Sequence, residues 1–247
     1  MFALSGTDDD PLRKNVFCCK PGLLILYSAA MNWPSGVFVT GTDTGVGKTY
    51  VAAGILAALR RAGRNVVPMK PVQTGCLLRK GSLIAPDLMV SLHAGNLRIP
   101  AAERADLAPY CFQPACSPHL AARLAGKRIS LTRIEKYYRL LSSHYDGVIV
   151  EGAGGVLVPL NSKETMLDLM CRLQLPVLLV ARPGLGTLNH VALSLQALRA
   201  ARLTVLGVIL NQATPGRWGA IEADNCRMIE SRCGVKVLRC LRYGATI

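Results

Sequence analysis

Aromatic side chains make up only 5% of this sequence, and its 15 acidic residues are outnumbered by 29 Lys and Arg. Without aromatics there is no stacking platform for single-stranded nucleic acid. The positive residues are scattered, with only small clusters such as Arg60, Arg61 and Arg64. The formal net charge of +14 therefore reads as solvated helix faces plus a site for small anions, not as a nucleic-acid surface. Long apolar runs are also missing. The longest near the amino terminus, Leu23 to Met31, covers nine residues, about half of a membrane span. It follows Asp8-Asp9-Asp10, where a secretory signal would carry basic residues. The nine cysteines include no CxxC pair. Their odd number in a chain of 247 residues points to reduced thiols and a cytoplasmic protein, not a disulfide scaffold. Cys226, Cys233 and Cys240 recur every seven residues, but without partners at ligand spacing they read as packing residues.

Half of the residues are hydrophobic (51%), enough for one sizeable core at this length. Residues 1–35 carry no periodic pattern and are expected to be a disordered extension, with translation normally starting at Met31; residues 36–247 are expected to be a single domain. From Gly36 the chain alternates. A strand (Val37 to Thr40) leads through a glycine-rich turn to an Ala/Leu-rich helix (Lys48 to Ala62), then to a strand (Asn65 to Met69) and a short helix (Asp87 to His93). A further helix follows Ser117-Pro118, where Ser suits the cap and Pro the first turn, and another spans Leu131 to Ser143. The continuous apolar runs at 147–152, 176–181 and 204–211 suit strands buried on both faces. Strands alternating with helices predict an α/β fold of the P-loop kind: a doubly wound, mainly parallel sheet with right-handed crossovers and helices on both faces. Ligands of such sheets bind beyond the carboxyl ends of the strands.

The chemistry sits at those ends. Gly41-Thr42-Asp43-Thr44-Gly45-Val46-Gly47-Lys48-Thr49 follows the first strand. Its N–H groups at a helix start suit phosphate oxygens, Lys48 suits their charge and the Thr49 hydroxyl suits Mg²⁺. The usual phosphate loop has Gly five positions before its Gly-Lys pair; here that position is Thr42, so the loop is one residue too long. Glu151, beside Gly152, Ala153, Gly154 and Gly155, puts a carboxylate at the tip of a buried strand, where such proteins hold Mg²⁺ or its water. Lys70 closes the second strand and should point into the same crevice. Asp87 opens a helix, where an acid is also common for capping reasons.

Together, "VTGTDTGVGKT", "KPVQTG", "SPHLAA", "VEGAGG", "GLGTLNH" and "GVILN" resemble the dethiobiotin synthetase family over about Val37 to Asn211, and that family's loop carries the same extra residue. The resemblance implies an ATP- and Mg²⁺-dependent ligase that joins CO2 to 7,8-diaminononanoate, phosphorylates the carbamate and closes a ureido ring. Lys48 and Lys70 would be catalytic. Gly45, Val46, Gly47, Lys48, Thr49, Tyr50, Asp87, Glu151, Gly152, Ala153, Gly154, Asn211 and Gln212 would hold the nucleotide and its metal, with Thr49, Asp87 and Glu151 as metal ligands. Thr42 and Thr74 would touch the diamine or carbamate. Gly186, Thr187 and Asn189 would bind the substrate carboxylate across a homodimer interface, although Thr187 also suits a plain helix cap. His119 reads as structural.

Two features depart from the family. Arg242 stands where it has Pro, and its final helix is missing, so nucleotide affinity and folding of the carboxyl end are expected to suffer. A competing class, the partition and septum-site ATPases, shares this kind of loop but carries a signature Lys where this chain has Asp43. Cobyrinic acid amidotransferases begin similarly but continue into a glutaminase domain that 247 residues cannot hold.

Overall fold

A computed structural model describes residues 34–245. The expected extension, except for its last two residues, and the expected start at Met31 lie outside them. The chain runs β1 (Gly36–Gly41), α1 (Lys48–Arg61), β2 (Val66–Met69), β3 (Val72–Gln73), β4 (Leu77–Arg79), β5 (Ser82–Ile84), α2 (Pro86–Ala94), α3 (Arg104–Leu107), β6 (Tyr110–Cys111) and α4 (Pro118–Leu124). It continues with α5 (Leu131–His144), β7 (Gly147–Gly155), α6 (Met166–Leu173), β8 (Val177–Ala181), α7 (Thr187–Ala200), β9 (Val205–Asn211), α8 (Ala220–Cys233) and β10 (Val237–Leu241). Among the described residues six strands form one sheet in the order β10-β9-β8-β1-β7-β2, and every pairing in it is parallel. This is the expected doubly wound α/β architecture.

Alternation along β1 explains the two layers of helices. Val37 and Val39 pack with Val51, Ile55 and Leu59 of α1, while Phe38 points to the opposite face and joins a core with Met166 and Leu169 of α6. A strand buried on both sides needs apolar residues at every position, and all six positions of β1 are buried. Local signals set the helix ends. Thr165 and Asp168 form a reciprocal capping box at α6, and the Ser130 side chain accepts from the Arg133 N–H at α5. Ser117 occupies the cap position of α4 with Pro118 inside the first turn, but its side chain makes no capping hydrogen bond, so the expected role of its hydroxyl is not realised.

Several elements escape the apolar pattern. The hairpin β4–β5 is mostly exposed. Strand β10 lies at the sheet edge with four of its five residues half-buried, so it shows no continuous apolar run. It adds the segment before Arg242 to the sheet: Leu241 is buried and its carbonyl accepts from the Gln212 N–H. Cys226, Cys233 and Cys240 pack on the hydrophobic core. Among the described residues no group of His, Cys, Asp and Glu forms a metal cluster, and no helix is long and apolar enough to cross a membrane.

Candidate active site

Strand β1 delivers the chain into the glycine loop, and α1 begins at Lys48, so the N–H groups of its first turn face the loop with no helical partner. Gly47 has a φ of 92°, in the left-handed region that favours glycine. A Cβ there would also collide with the side-chain amide of Asn211, whose Nδ2 donates to the Val46 carbonyl at 3.0 Å. The loop is thus held from β9 as well as from its own strand. Lys48 is 7% exposed, and its Nζ donates to the Asp43 carbonyl at 2.7 Å. Burial, helped by the positive charge of Lys70, pushes the Lys48 ammonium down to about 8.

Strand β7 runs on through its glycines to Gly155, so Glu151 lies inside the strand and not at its tip. The pairing with β1 steps from Val39 opposite Glu151 to Gly41 opposite Gly155. Two residues face four across that step, a bulge of the kind that re-aims a side chain beside a site. Glu151 is 4% exposed, and its Oε1 accepts from the Thr49 hydroxyl at 2.7 Å and from Lys70 Nζ at 2.6 Å. Lys70, just past β2, also lies 2.7 Å from Asp87 Oδ2 and donates to the Gly152 carbonyl at 3.2 Å. Burial alone would lower the Lys70 pKa, but the carboxylates of Glu151 and Asp87 outweigh it and hold the ammonium above its ordinary range. Asp87 shows the reverse. Burial would raise it, and the Lys70 ammonium brings it below its ordinary value.

These groups line one cavity of about 650 Å³. It brings together Gly45, Gly47, Lys48, Thr49, Lys70, Thr74, Asp87, Glu151, Ala153 and Gly154. Asn211 and Gln212 line a neighbouring hollow of about 420 Å³ on the other side of Gly45 and Val46. Thr42 lies in a third, of about 440 Å³, with His190 and the apolar Leu157 and Leu193. Gly186, Thr187 and Asn189 line none of the three. Gly186 is the cap residue of α7, so Thr187 is not the N-cap. Its hydroxyl, like that of Thr42 and the Nδ1 of His119 and His190, is buried without a hydrogen-bond partner. The Tyr50 side chain points away into a groove between α1 and α2, which leaves only its backbone N–H at the loop.

Two residues beyond the motif reading belong to the site. Gln73, inside "KPVQTG", contacts Asp87 through both ends of its amide. Arg182, directly after β8, pairs with Asp43 at 3.1 Å and lines the Asn211 hollow; inspecting the first residue after each apolar run finds it.

A family model described as an AAA domain matches residues 35–246. The chain is 46% identical to the "ATP-dependent dethiobiotin synthetase BioD" of Anaeromyxobacter dehalogenans, over 73% of this chain and 78% of that protein. To the protein of the same name from Nitrosospira multiformis it is 40% identical, over 86% and 90%. Among solved structures it is similar to the BceF tyrosine kinase domain, with a TM-score of 0.50 at 21% identity over 77% of this chain and 74% of that one, a likeness of fold alone. A phosphate loop on β1, an internal strand carboxylate paired with a buried lysine, and relatives this similar along most of their length agree: the chain belongs to the dethiobiotin synthetase family.

Proposed function

We propose that this chain makes dethiobiotin from 7,8-diaminononanoate, CO2 and ATP with Mg²⁺. The observation that carries the reading is Lys70, 4% exposed, bridging Glu151 and Asp87 in the cavity that the phosphate loop opens onto. A buried cation there can neutralise an anion forming on the substrate, in a setting with little water to screen it.

Three bond changes make up the reaction. An amine of the substrate adds to CO2 and loses a proton; the carbamate oxygen takes the terminal phosphoryl group, releasing ADP; the second amine attacks the carbonyl carbon, loses a proton and expels phosphate. The substrate supplies both nucleophiles, so the protein's work is positioning and charge neutralisation. Lys70 serves the carbamate and the transferring phosphoryl group. Lys48 exchanges the Asp43 carbonyl for phosphate oxygens, with the N–H groups from Gly45 to Tyr50 around them. Asn211 and Gln212 serve the adenine, Thr74 and Thr42 the diamine and carbamate.

The donor set fits Mg²⁺: two carboxylates and a hydroxyl are hard oxygen ligands, and the Lys70 ammonium already stands between the carboxylates as a positive charge. Thr49, Asp87 and Glu151 would hold the ion, which when bound supplies positive charge against the nucleotide oxygens. Gly186, Thr187 and Asn189 serve the substrate carboxylate of a second copy in a homodimer. Exposed Leu157 and Leu193, which line one hollow, and exposed Leu185 and Leu188 at the start of α7 support that interface, because large apolar side chains left in water favour a partner. The scaffold-ATPase reading is weaker, since the position of its signature lysine holds Asp43, engaged with Arg182 of the same chain.

The test is to incubate purified protein with diaminononanoate, bicarbonate, Mg²⁺ and ATP and to follow product by mass spectrometry. Dethiobiotin with stoichiometric ADP is expected. ATP hydrolysis without dethiobiotin would overturn the reading.

A further inference from the structure

Helix α2 carries the expected metal ligand Asp87, yet nothing local caps it: the residue at its cap is Ala85, which offers no side-chain acceptor. Gln73, fourteen positions earlier, fills that gap. Its Oε1 accepts from the Asp87 N–H at 3.3 Å, as a capping side chain would. Its Nε2 donates to Asp87 Oδ2 at 3.2 Å and to the Thr74 carbonyl at 3.0 Å. The amide orientation is set by chemistry, because turning it over would face oxygen with oxygen and N–H with N–H. Gln73 is itself 7% exposed and fixed in β3, opposite Cys111 of β6, with its carbonyl accepting from the Phe112 N–H at 2.9 Å.

One buried amide therefore holds the backbone and the carboxylate of Asp87 and ties both to Thr74. We propose that Gln73 is a positioning residue, setting the direction of the Asp87 carboxylate for the metal and linking it to the backbone of Thr74. This rests on Asp87 being a metal ligand. Groups that orient metal ligands typically change affinity by about 10–100-fold when removed.

The experiment measures Mn²⁺ binding to the full chain with ADP by electron paramagnetic resonance, for wild type, Gln73→Met, Asp87→Ala and the double variant. Gln73→Met keeps the volume and loses the amide. Its Mn²⁺ Kd is expected to rise by about ten-fold or more, and in the Asp87→Ala background the same change should add nothing, the signature of a residue acting through another. A wild-type Mn²⁺ Kd in Gln73→Met, or an equal loss in both backgrounds, would overturn the proposal. If Gln73→Met does not fold, Gln73→Asn decides: it withdraws the amide by one methylene, so it should weaken Mn²⁺ binding, and unchanged binding refutes the role. Absence of saturable Mn²⁺ binding in wild type would instead overturn the metal reading of the site.

Discussion

The mouth of the Lys70 cavity and the start of α7 make an instructive pair. At the first, buried and half-buried polar groups satisfy each other within one chain: Thr49 meets Glu151, Lys70 meets Glu151 and Asp87, and Gln73 meets Asp87. At the second, buried Thr187 has a hydroxyl with no partner, and Leu185, two residues before it, is 91% exposed. Buried polar groups are normally paired, and large apolar residues tend to be covered. The first region pairs its polar groups within one chain, whereas the second leaves a buried hydroxyl unpaired two residues from an exposed leucine.

The sharpest way to break this contrast is at Lys70. Lys70→Ala should lower turnover by about 10²–10³-fold, as loss of a charge-stabilising donor does, and should also cost up to about 3 kcal/mol of stability, because two carboxylates lose their counter-charge. Steady-state assay and thermal melting separate the two effects; wild-type turnover would remove Lys70 from the mechanism. Next comes Gly47→Ala. The left-handed backbone and the Asn211 contact predict a loss of about 1–3 kcal/mol together with weakened ATP binding, read by calorimetry, while self-association stays unchanged.

The α7 region is probed by Leu185→Glu. In the homodimer proposed above, losing the burial of one leucine at the interface, worth about 2 kcal/mol, should raise the dimer Kd by roughly 30-fold in sedimentation equilibrium and raise KM for the diamine. Unaltered association would refute an interface there. Smallest is Thr187→Val, which deletes an unpartnered hydroxyl and keeps the shape. In the isolated chain it should be neutral or stabilising by up to about 1 kcal/mol. A marked loss of diamine affinity without loss of ATP affinity would show that the hydroxyl serves a ligand in the assembled form.

The same two regions differ in how far they were legible in the sequence. Lys48, Thr49, Lys70, Asp87 and Glu151 stand at predictable places, because a parallel sheet brings its carboxyl-terminal strand ends together, and the structure gathers all five in one cavity. What the pattern missed was the extension of β7 beyond Gly152 to Gly155, with a bulge set by pairing with β1 and invisible in one strand alone. Gln73 was equally hidden, since its role depends on Ala85 failing to cap a helix far along the chain. Strand β10 has no continuous apolar run because an edge strand has only one neighbour to bury against. For helix α7 the sequence offers only a cap, at Thr187, one residue past the observed cap Gly186. The placement of Tyr50 away from the nucleotide hollow follows from helical phase, one residue past Thr49 on α1.

The strand order has a further consequence, for how the protein is made. Among the described strands β1 is synthesised first, yet it lies between β7 and β8, which begin at Gly147 and Val177, more than 100 positions after it ends at Gly41. At the usual pace of translation it waits roughly 5–20 s for a neighbour. During that time "GVFVTG" offers an apolar strand with both edges open, the kind of segment on which chains aggregate. Yield of soluble protein should therefore depend on how quickly residues 147–181 emerge and on whether a chaperone covers β1 until they do.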